Sequence, residues 1–274
     1  MKTILKEYYN LEIDHYNEYD EGIIFFINGD NYYLCKCNIS IDDLNKSYEL
    51  ALLLKSKGIV LHDFVFNNNN ELLSNGYVLF KVNSIIDDID IYDLNKFNIE
   101  IDYDLYDDFY FLWSNKIDYL EEYISIFDNN LLISYSFDYY VGIAELLLEF
   151  YKDSIKGYKG RYLVHRTFYS LNTIDYYNPL NIVLGERYKD FAAYIRITND
   201  WNLLYSLLDK MILEEKISLF VRLVFPFSYF NCISNDVEED ELLLIISKVD
   251  EYEEYINKIE ELLKIKLFYF IKKI

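Results

Sequence analysis

The stretch GIIFFINGDNYYLCKCN, residues 22–38, consists of two runs of β-branched and aromatic side chains separated by Gly29 and Asp30. Such runs favour strands, and a glycine beside an aspartate between them is typical of a tight turn. The stretch therefore predicts a β-hairpin near the start of the chain.

A helix and two further strands are predicted after the hairpin. Ser40 and Asp43 form a helix-capping pattern, and apolar residues then recur at helical spacing. The segments IVLHDFVFN (59–67) and GYVLFKVN (76–83) are β-branched and aromatic again. The predicted order is strand, strand, helix, strand, strand.

The rest of the chain is predicted to be mainly helical. Apolar side chains recur three and four residues apart in residues 109–127 and 137–153, whereas residues 160–185 contain short β-like pieces. We therefore predict an α+β fold with two lobes. A small antiparallel β-sheet lobe with one helix spans residues 1–86, and a larger, mainly helical lobe spans residues 87–274.

Charge and cysteine usage restrict the function classes. The 274 residues carry 47 acidic and 26 basic side chains, a formal net charge of -21, which repels a phosphate backbone. We expect no nucleic-acid partner, and without a signal sequence or an 18-residue apolar run we expect no membrane partner. Three cysteines, Cys35, Cys37 and Cys232, cannot form a disulfide framework, which favours a cytoplasmic protein with reduced thiols.

The stretch LVHRTFYSLN, residues 163–172, resembles the catalytic loop HxDxxxxN of protein kinases and of aminoglycoside or choline phosphotransferases. His165, followed by Arg166, keeps its seven-residue spacing from Asn172. In that family the aspartate orients or deprotonates the acceptor hydroxyl, and the asparagine holds a metal ion. Here Thr167 occupies the aspartate position, and its hydroxyl, which is not ionised near neutral pH, cannot replace a carboxylate as base.

The resemblance covers about the first 200 residues and implies a nucleotide site with ATP and Mg²⁺ as cofactors. The segment YYVGIAE (139–145) narrows it to bacterial spore-coat proteins of the aminoglycoside-phosphotransferase-like class. Family resemblance implies that Lys36 contacts the nucleotide phosphates and pairs with Glu49 of the following helix. It also implies that backbone groups of Phe80 and Val82, before the hinge, meet the adenine. His165 is expected to pack and form hydrogen bonds rather than act as acid or base.

A second aspartate, which binds magnesium in this family, is expected about 20 residues after the histidine. Gly185 occupies that position and has no side-chain ligand atom. Glu186 follows, but the next residue of a strand points to the opposite face. Of the implied metal ligands only Asn172 remains.

A rival register matches YNPLNIVL (177–184) to the end of the loop, with Asn181 as its asparagine. An aspartate would then be required where Tyr176 stands, and Asp175 is one position away. Asp190 would have to bind the metal only nine residues after Asn181, too few for the intervening hairpin. We prefer the first register for this reason.

The resemblance and its missing carboxylates lead to a hypothesis of a pseudokinase, which acts by binding a protein partner or a nucleotide. An alternative is an active, atypical ATP-dependent phosphotransferase with a small-molecule acceptor, in which Asp175 or Glu186 supplies the missing charge. A third hypothesis is an acidic decoy that binds a basic partner through its surface charge.

Overall fold

The computed structural model describes residues 1–83, 88–106, 108–124, 131–156, 158, 160–168, 170–234 and 239–268. Contacts between residues divide the chain into two compact units. Unit 1 comprises Met1–Asp107 and Arg161–Gly185, and unit 2 comprises Asp108–Gly160 and Glu186–Ile274. The lobe boundary predicted between residues 86 and 87 falls outside the described residues, and that division stays a prediction.

The strands and helices occur largely in the order that the sequence predicted. The strands are β1 (Asn17–Tyr19), β2 (Gly22–Ile27), β3 (Asp30–Lys36), β4 (Asp63–Val65), β5 (Leu73–Ser74), β6 (Tyr77–Val82), β7 (Tyr162–His165) and β8 (Ile182–Gly185). The α-helices are α1 (Lys2–Tyr9), α2 (Ile41–Ser56), α3 (Ile91–Phe97), α4 (Phe109–Ile124), α5 (Leu131–Ser154), α6 (Thr173–Tyr176), α7 (Lys189–Thr198), α8 (Trp201–Leu207), α9 (Leu213–Val224), α10 (Phe227–Ser234), α11 (Glu239–Ser247) and α12 (Val249–Leu263).

Unit 1 is built on an antiparallel sheet with the strand order β1-β2-β3-β6-β4, and β5 also pairs with β6. The predicted hairpin forms β2 and β3, but its turn is Asn28–Gly29, one residue earlier than predicted. Both turn residues have positive φ, 53° and 91°, which Asn and Gly tolerate best. The turn fixes a register in which Gly22 lies opposite Cys35.

Helix α2 begins as the sequence predicted, because the Ser40 side chain accepts a hydrogen bond from the Asp43 backbone N–H at 3.1 Å. The predicted strand over residues 59–67 is shorter, β4 alone. The Ile59 N–H instead bonds the Leu54 carbonyl at the end of α2, which removes it from any strand ladder.

The two faces of the sheet are buried by different parts of the chain. On one face α1 packs against residues such as Leu34 and Leu79 of the central strands. The other face packs against α2 and against Ile174 and Leu180, which lie between β7 and β8. Burial of apolar surface thus holds the β7–β8 loop (residues 166–181) against the sheet.

Strands β7 and β8 pair antiparallel, with Tyr162 opposite Gly185 and His165 opposite Ile182. The Arg166 N–H donates to the Asn181 carbonyl at 2.7 Å and closes the base of the β7–β8 loop. The predicted β-like pieces around residue 165 are therefore confirmed as a two-stranded ladder.

Unit 2 is helical, as predicted, and consists of α4, α5 and α7–α12. The end of the predicted helix 109–127 lies outside the described residues. Within the described ranges no single helix is long and apolar enough to cross a membrane, and only α9 with α10, bent by 47°, reaches that length and composition as a pair. Cys35, Cys37 and Cys232 are not joined in disulfides.

Candidate functional site

A cavity of about 820 Å³ lies within unit 1. Its lining comes from three segments: the turn between β1 and β2, the end of β3 with the residues after it, and the β7–β8 loop. Three residues predicted from the sequence, Lys36, Arg166 and Thr167, line this cavity together. The remaining residues that the sequence predicted for the site do not line this cavity: Glu49, Phe80, Val82, His165, Asn172 and Gly185.

Lys36 forms its ion pair with Glu21, not with Glu49. The Lys36 ammonium lies 3.1 Å from a Glu21 carboxylate oxygen, and both side chains are 49% exposed. The Asn38 amide donates to the same carboxylate at 2.7 Å, and these two contacts hold the pKa of Glu21 below its usual value. The predicted Lys36–Glu49 pair is therefore wrong.

Glu49 lies on the exposed side of α2, whose buried side is formed by Leu44, Leu50 and Leu54. Its carboxylate accepts a hydrogen bond from the Tyr103 hydroxyl at 3.1 Å. Helical spacing alone did not distinguish the side of α2 that faces the sheet from the side that faces solvent.

Phe80 and Val82 belong to β6, and the structure assigns them to packing. At Phe80 the strand has neighbours on both edges, Tyr33 of β3 and Phe64 of β4. Because the backbone groups at this position face neighbouring strands, the predicted adenine contact at Phe80 is wrong. Val82 pairs with Asn31, and its buried side chain belongs to the sheet core.

His165 is fully buried beneath the β7–β8 loop. Its Nε2 donates to the Tyr176 carbonyl at 2.8 Å, because a carbonyl oxygen can only accept. The imidazole also stacks on the Tyr176 ring, with centroids 4.2 Å apart. These contacts are those of a packing and hydrogen-bonding residue, as expected.

Three hydrogen bonds join Thr167 to the Asn181 side chain. The Asn181 Oδ1 accepts from the Thr167 backbone N–H at 2.9 Å and from its hydroxyl at 3.1 Å. The Asn181 amide N–H donates back to the Thr167 carbonyl at 2.8 Å. The position where the family carries its catalytic aspartate therefore holds a hydroxyl that is engaged within the loop.

Asp175 is the carboxylate of the β7–β8 loop that lines the cavity. Its Oδ2 accepts from the Tyr19 hydroxyl at 2.6 Å and from the Ser170 hydroxyl at 3.3 Å. Burial raises the pKa of Asp175, although the two hydroxyl donors act in the opposite direction. Burial and the neighbouring Asp175 also raise the pKa of Tyr19.

Asn172, the predicted metal ligand, instead caps helix α6. Its Oδ1 accepts from the Ile174 backbone N–H at 2.7 Å. Gly185 is buried at the end of β8. Glu186, the proposed substitute, is buried in unit 2, where its carboxylate binds Arg222 at 2.5 Å and accepts from the Tyr151 hydroxyl.

Side-chain oxygens of the β7–β8 loop that could hold a magnesium ion are partly engaged. Mg²⁺ takes oxygen ligands, and the Asp175 Oδ2 and the Asn181 Oδ1 already accept hydrogen bonds from the protein. Within the described part of the chain, no group of three or more His, Cys, Asp or Glu side chains is placed to hold a metal ion.

The loop combines features of both registers considered from the sequence. Thr167 comes from the preferred register, whereas its amide partner is Asn181 of the rival register. Asp175 lies next to them because Asn181 also reaches the Asp175 carbonyl, at 3.4 Å. The spacing of the kinase motif missed this set, since α6 lies between Thr167 and Asn181 in the sequence.

We expect the Tyr19→Phe substitution to raise the pKa of Asp175 further, because it removes a charge-assisted hydrogen bond from the carboxylate. The measurement is a pH titration of the Asp175 carboxyl carbon by NMR. Ser170→Ala, which removes the longer bond, is the matched control and should give a smaller rise. An unchanged pKa in Tyr19→Phe would contradict the assigned contact.

The small antiparallel sheet, the single helix after its hairpin and the helical remainder make up a kinase-like α+β fold, as the sequence predicted. The structure is similar to the crystal structure of an aminoglycoside phosphotransferase from Alicyclobacillus acidocaldarius subsp. acidocaldarius DSM 446, with a TM-score of 0.64 and 13% identity over 96% of each chain. No protein-family model and no curated protein matches the chain. At this identity the similarity shows the fold, and the narrower resemblance to spore-coat proteins stays a prediction.

Proposed function

We propose that this chain is a pseudokinase, which binds a ligand in the unit 1 cavity without transferring a phosphoryl group. The observation that carries the proposal is the presence of Thr167 at the position of the catalytic aspartate, with its hydroxyl already hydrogen-bonded. Its hydroxyl is directed to Asn181 within the loop, and an un-ionised hydroxyl cannot accept the proton of a substrate.

The charges of the cavity support binding rather than transfer. Lys36 and Arg166 can attract an anionic group such as a nucleotide phosphate, but Asp20, Glu21 and Asp175 line the same cavity. The acidic residues oppose the negative charge of a polyphosphate. We therefore propose weak nucleotide binding or binding of a protein segment, in the cytoplasm as the absence of a disulfide framework suggests.

The test is a pair of measurements on the purified protein: ATP turnover, and thermal unfolding with ATP in the presence and absence of Mg²⁺. We expect no turnover and no stabilisation that depends on the metal. Turnover above that of a Lys36→Ala control, together with Mg²⁺-dependent stabilisation, would overturn the proposal.

A second candidate, an active atypical phosphotransferase, is favoured by the position of Asp175. It lines the cavity beside Asn181, and burial raises its pKa towards the range useful to a general base. Asp175→Asn separates the two functions, because it should abolish any turnover of an active enzyme. In a pseudokinase the wild-type protein and Asp175→Asn should be equally inactive.

A further inference from the structure

Two carboxylates that line the unit 1 cavity, Asp20 and Asp175, have oxygens that the described residues leave without a partner. Asp20 is exposed in the two-residue turn that joins β1 to β2, and within the described ranges it forms no hydrogen bond or ion pair. Asp175 accepts its two side-chain hydrogen bonds through Oδ2. Its Oδ1 accepts none from the described part of the chain.

The two carboxylates are close enough to affect each other. Burial is the main cause of the raised pKa of Asp175, and the negative charge of Asp20 raises it further. Like charges at this range repel each other, which costs free energy when both groups are ionised. A cation bound beside them would offset that cost.

Tyr33 adds a third polar group on the same side of the cavity. The residue is only 3% exposed and lines the cavity. Its hydroxyl has no hydrogen-bond partner among the described residues, yet it is not sealed from solvent. Burial is the main cause of the raised pKa of Tyr33, and the charges of Asp175 and Asp20 raise it further. The hydroxyl therefore opens into the cavity within electrostatic reach of both carboxylates.

The charge balance of the lining favours a cation. Lys36 and Glu21 neutralise each other in their ion pair at 3.1 Å, which leaves Asp20 and Asp175 against Arg166. Aromatic rings form much of the remaining wall, and their faces attract a cation. These rings belong to Tyr19, Tyr33, Phe168 and Tyr176.

We propose that the unit 1 cavity binds a primary ammonium group on an aliphatic chain, as carried by a lysine side chain or by a free alkylamine. An ammonium has three N–H donors, and Asp20, the Asp175 Oδ1 and the Tyr33 hydroxyl oxygen are three acceptors for them. This inference rests on the proposed function, since it names the ligand that the cavity holds without phosphoryl transfer. It places a cation beside Lys36, where the family resemblance implied nucleotide phosphates.

The probe is Nα-acetyl-L-lysine N-methylamide, whose ammonium is its only charge, and n-pentylamine represents a free alkylamine. Titration calorimetry and ligand-observed NMR are the readouts, at physiological ionic strength and without nucleotide. Two controls each lack one required feature: the norleucine amide has no ammonium, and the trimethyl-lysine amide has the charge without N–H donors. We expect both controls to bind about tenfold more weakly than the probe. Tighter binding of the probe than of pentylamine identifies a peptide segment as the source, and equal or weaker binding identifies a free amine.

Two variants locate the binding. Asp20→Asn should weaken the probe about tenfold, and asparagine keeps the turn because it tolerates the φ of 45° found there. Tyr33→Phe removes only the hydroxyl and should also weaken the probe about tenfold. Glu18→Gln is the matched control, since this exposed carboxylate of β1 lies outside the cavity and its distant charge is screened.

No binding of either amine, equal affinity for either control compound, or an affinity that Asp20→Asn leaves unchanged would overturn the proposal. Asp20 is exposed in a turn, so its substitution tests the site even if Tyr33→Phe does not fold. ATP turnover would contradict the proposed function alone. Failure of the amines to bind a protein that shows no turnover would contradict this inference alone.

Discussion

Replacing Arg222 by methionine is expected to lower the free energy of unfolding by about 3–5 kcal/mol, because it leaves a buried carboxylate without its cation. The side chains of Arg222 and Glu186 are 4% and 10% exposed and lie 2.5 Å apart. Burial alone would raise the pKa of Glu186, but Arg222 and the Tyr151 hydroxyl outweigh it, so the pKa lies below its usual value. Urea unfolding at neutral pH measures the loss.

The double variant Arg222→Met/Glu186→Met is expected to recover more than half of this loss, because an apolar pair of similar size needs no compensating charge. The guanidinium also lies 4.2 Å from the Phe109 ring centroid, a contact that methionine can partly replace. The exposed Arg161, paired with Asp102 at 3.5 Å, is the matched control. Arg161→Met should cost under about 1 kcal/mol, and an equal loss in both single variants would sink the argument.

The second large effect concerns His62 and is seen on acidification. Burial lowers the pKa of His62 to about 4, from an ordinary value of 6.5. Between these values the unfolded chain binds a proton that the folded protein does not. Stability that is present above pH 6.5 is therefore lost as the pH falls, and the loss approaches about 3 kcal/mol near pH 4.

His62→Gln removes this titration but keeps an N–H donor for the Ile174 carbonyl. We expect its free energy of unfolding to fall less steeply than that of the wild-type protein between pH 6.5 and 4, as measured by urea unfolding at a series of pH values. The carboxylates titrate in both proteins, so the difference between them isolates His62. His15→Gln, at an exposed histidine, is the matched control. Parallel curves for wild type and His62→Gln would refute the assignment.

Local patterns predicted much of the fold because they act over a few residues. The capping pattern at Ser40 and the hairpin before it depend on neighbouring backbone groups, and both formed where the sequence placed them within one residue. The short strands β1 and β5 were missed, because strands of two or three residues carry almost no periodicity. Helix α1 was also not predicted.

The candidate site was predicted in part. Lys36, Arg166 and Thr167 were found by motif, but the partner of Lys36 was assigned by analogy and was wrong. The hairpin contained the information to correct it. Once its turn is placed at Asn28–Gly29, extending the register by one residue puts Glu21 opposite Lys36. Cross-strand neighbours of opposite charge attract each other, whereas the distance from Lys36 to Glu49 depends on how a helix packs, which spacing does not determine.

The discontinuity of unit 1 has a consequence for biosynthesis. A chain that emerges from the ribosome first delivers the sheet, then the α4 and α5 segment of unit 2, and only afterwards the segment Arg161–Gly185 that completes unit 1. Until then the sheet face that packs against Ile174 and Leu180 has no cover from them. During synthesis this sheet face therefore stays partly uncovered until residue 185 has left the ribosomal exit tunnel, and in that interval it is accessible to chaperones and prone to aggregation.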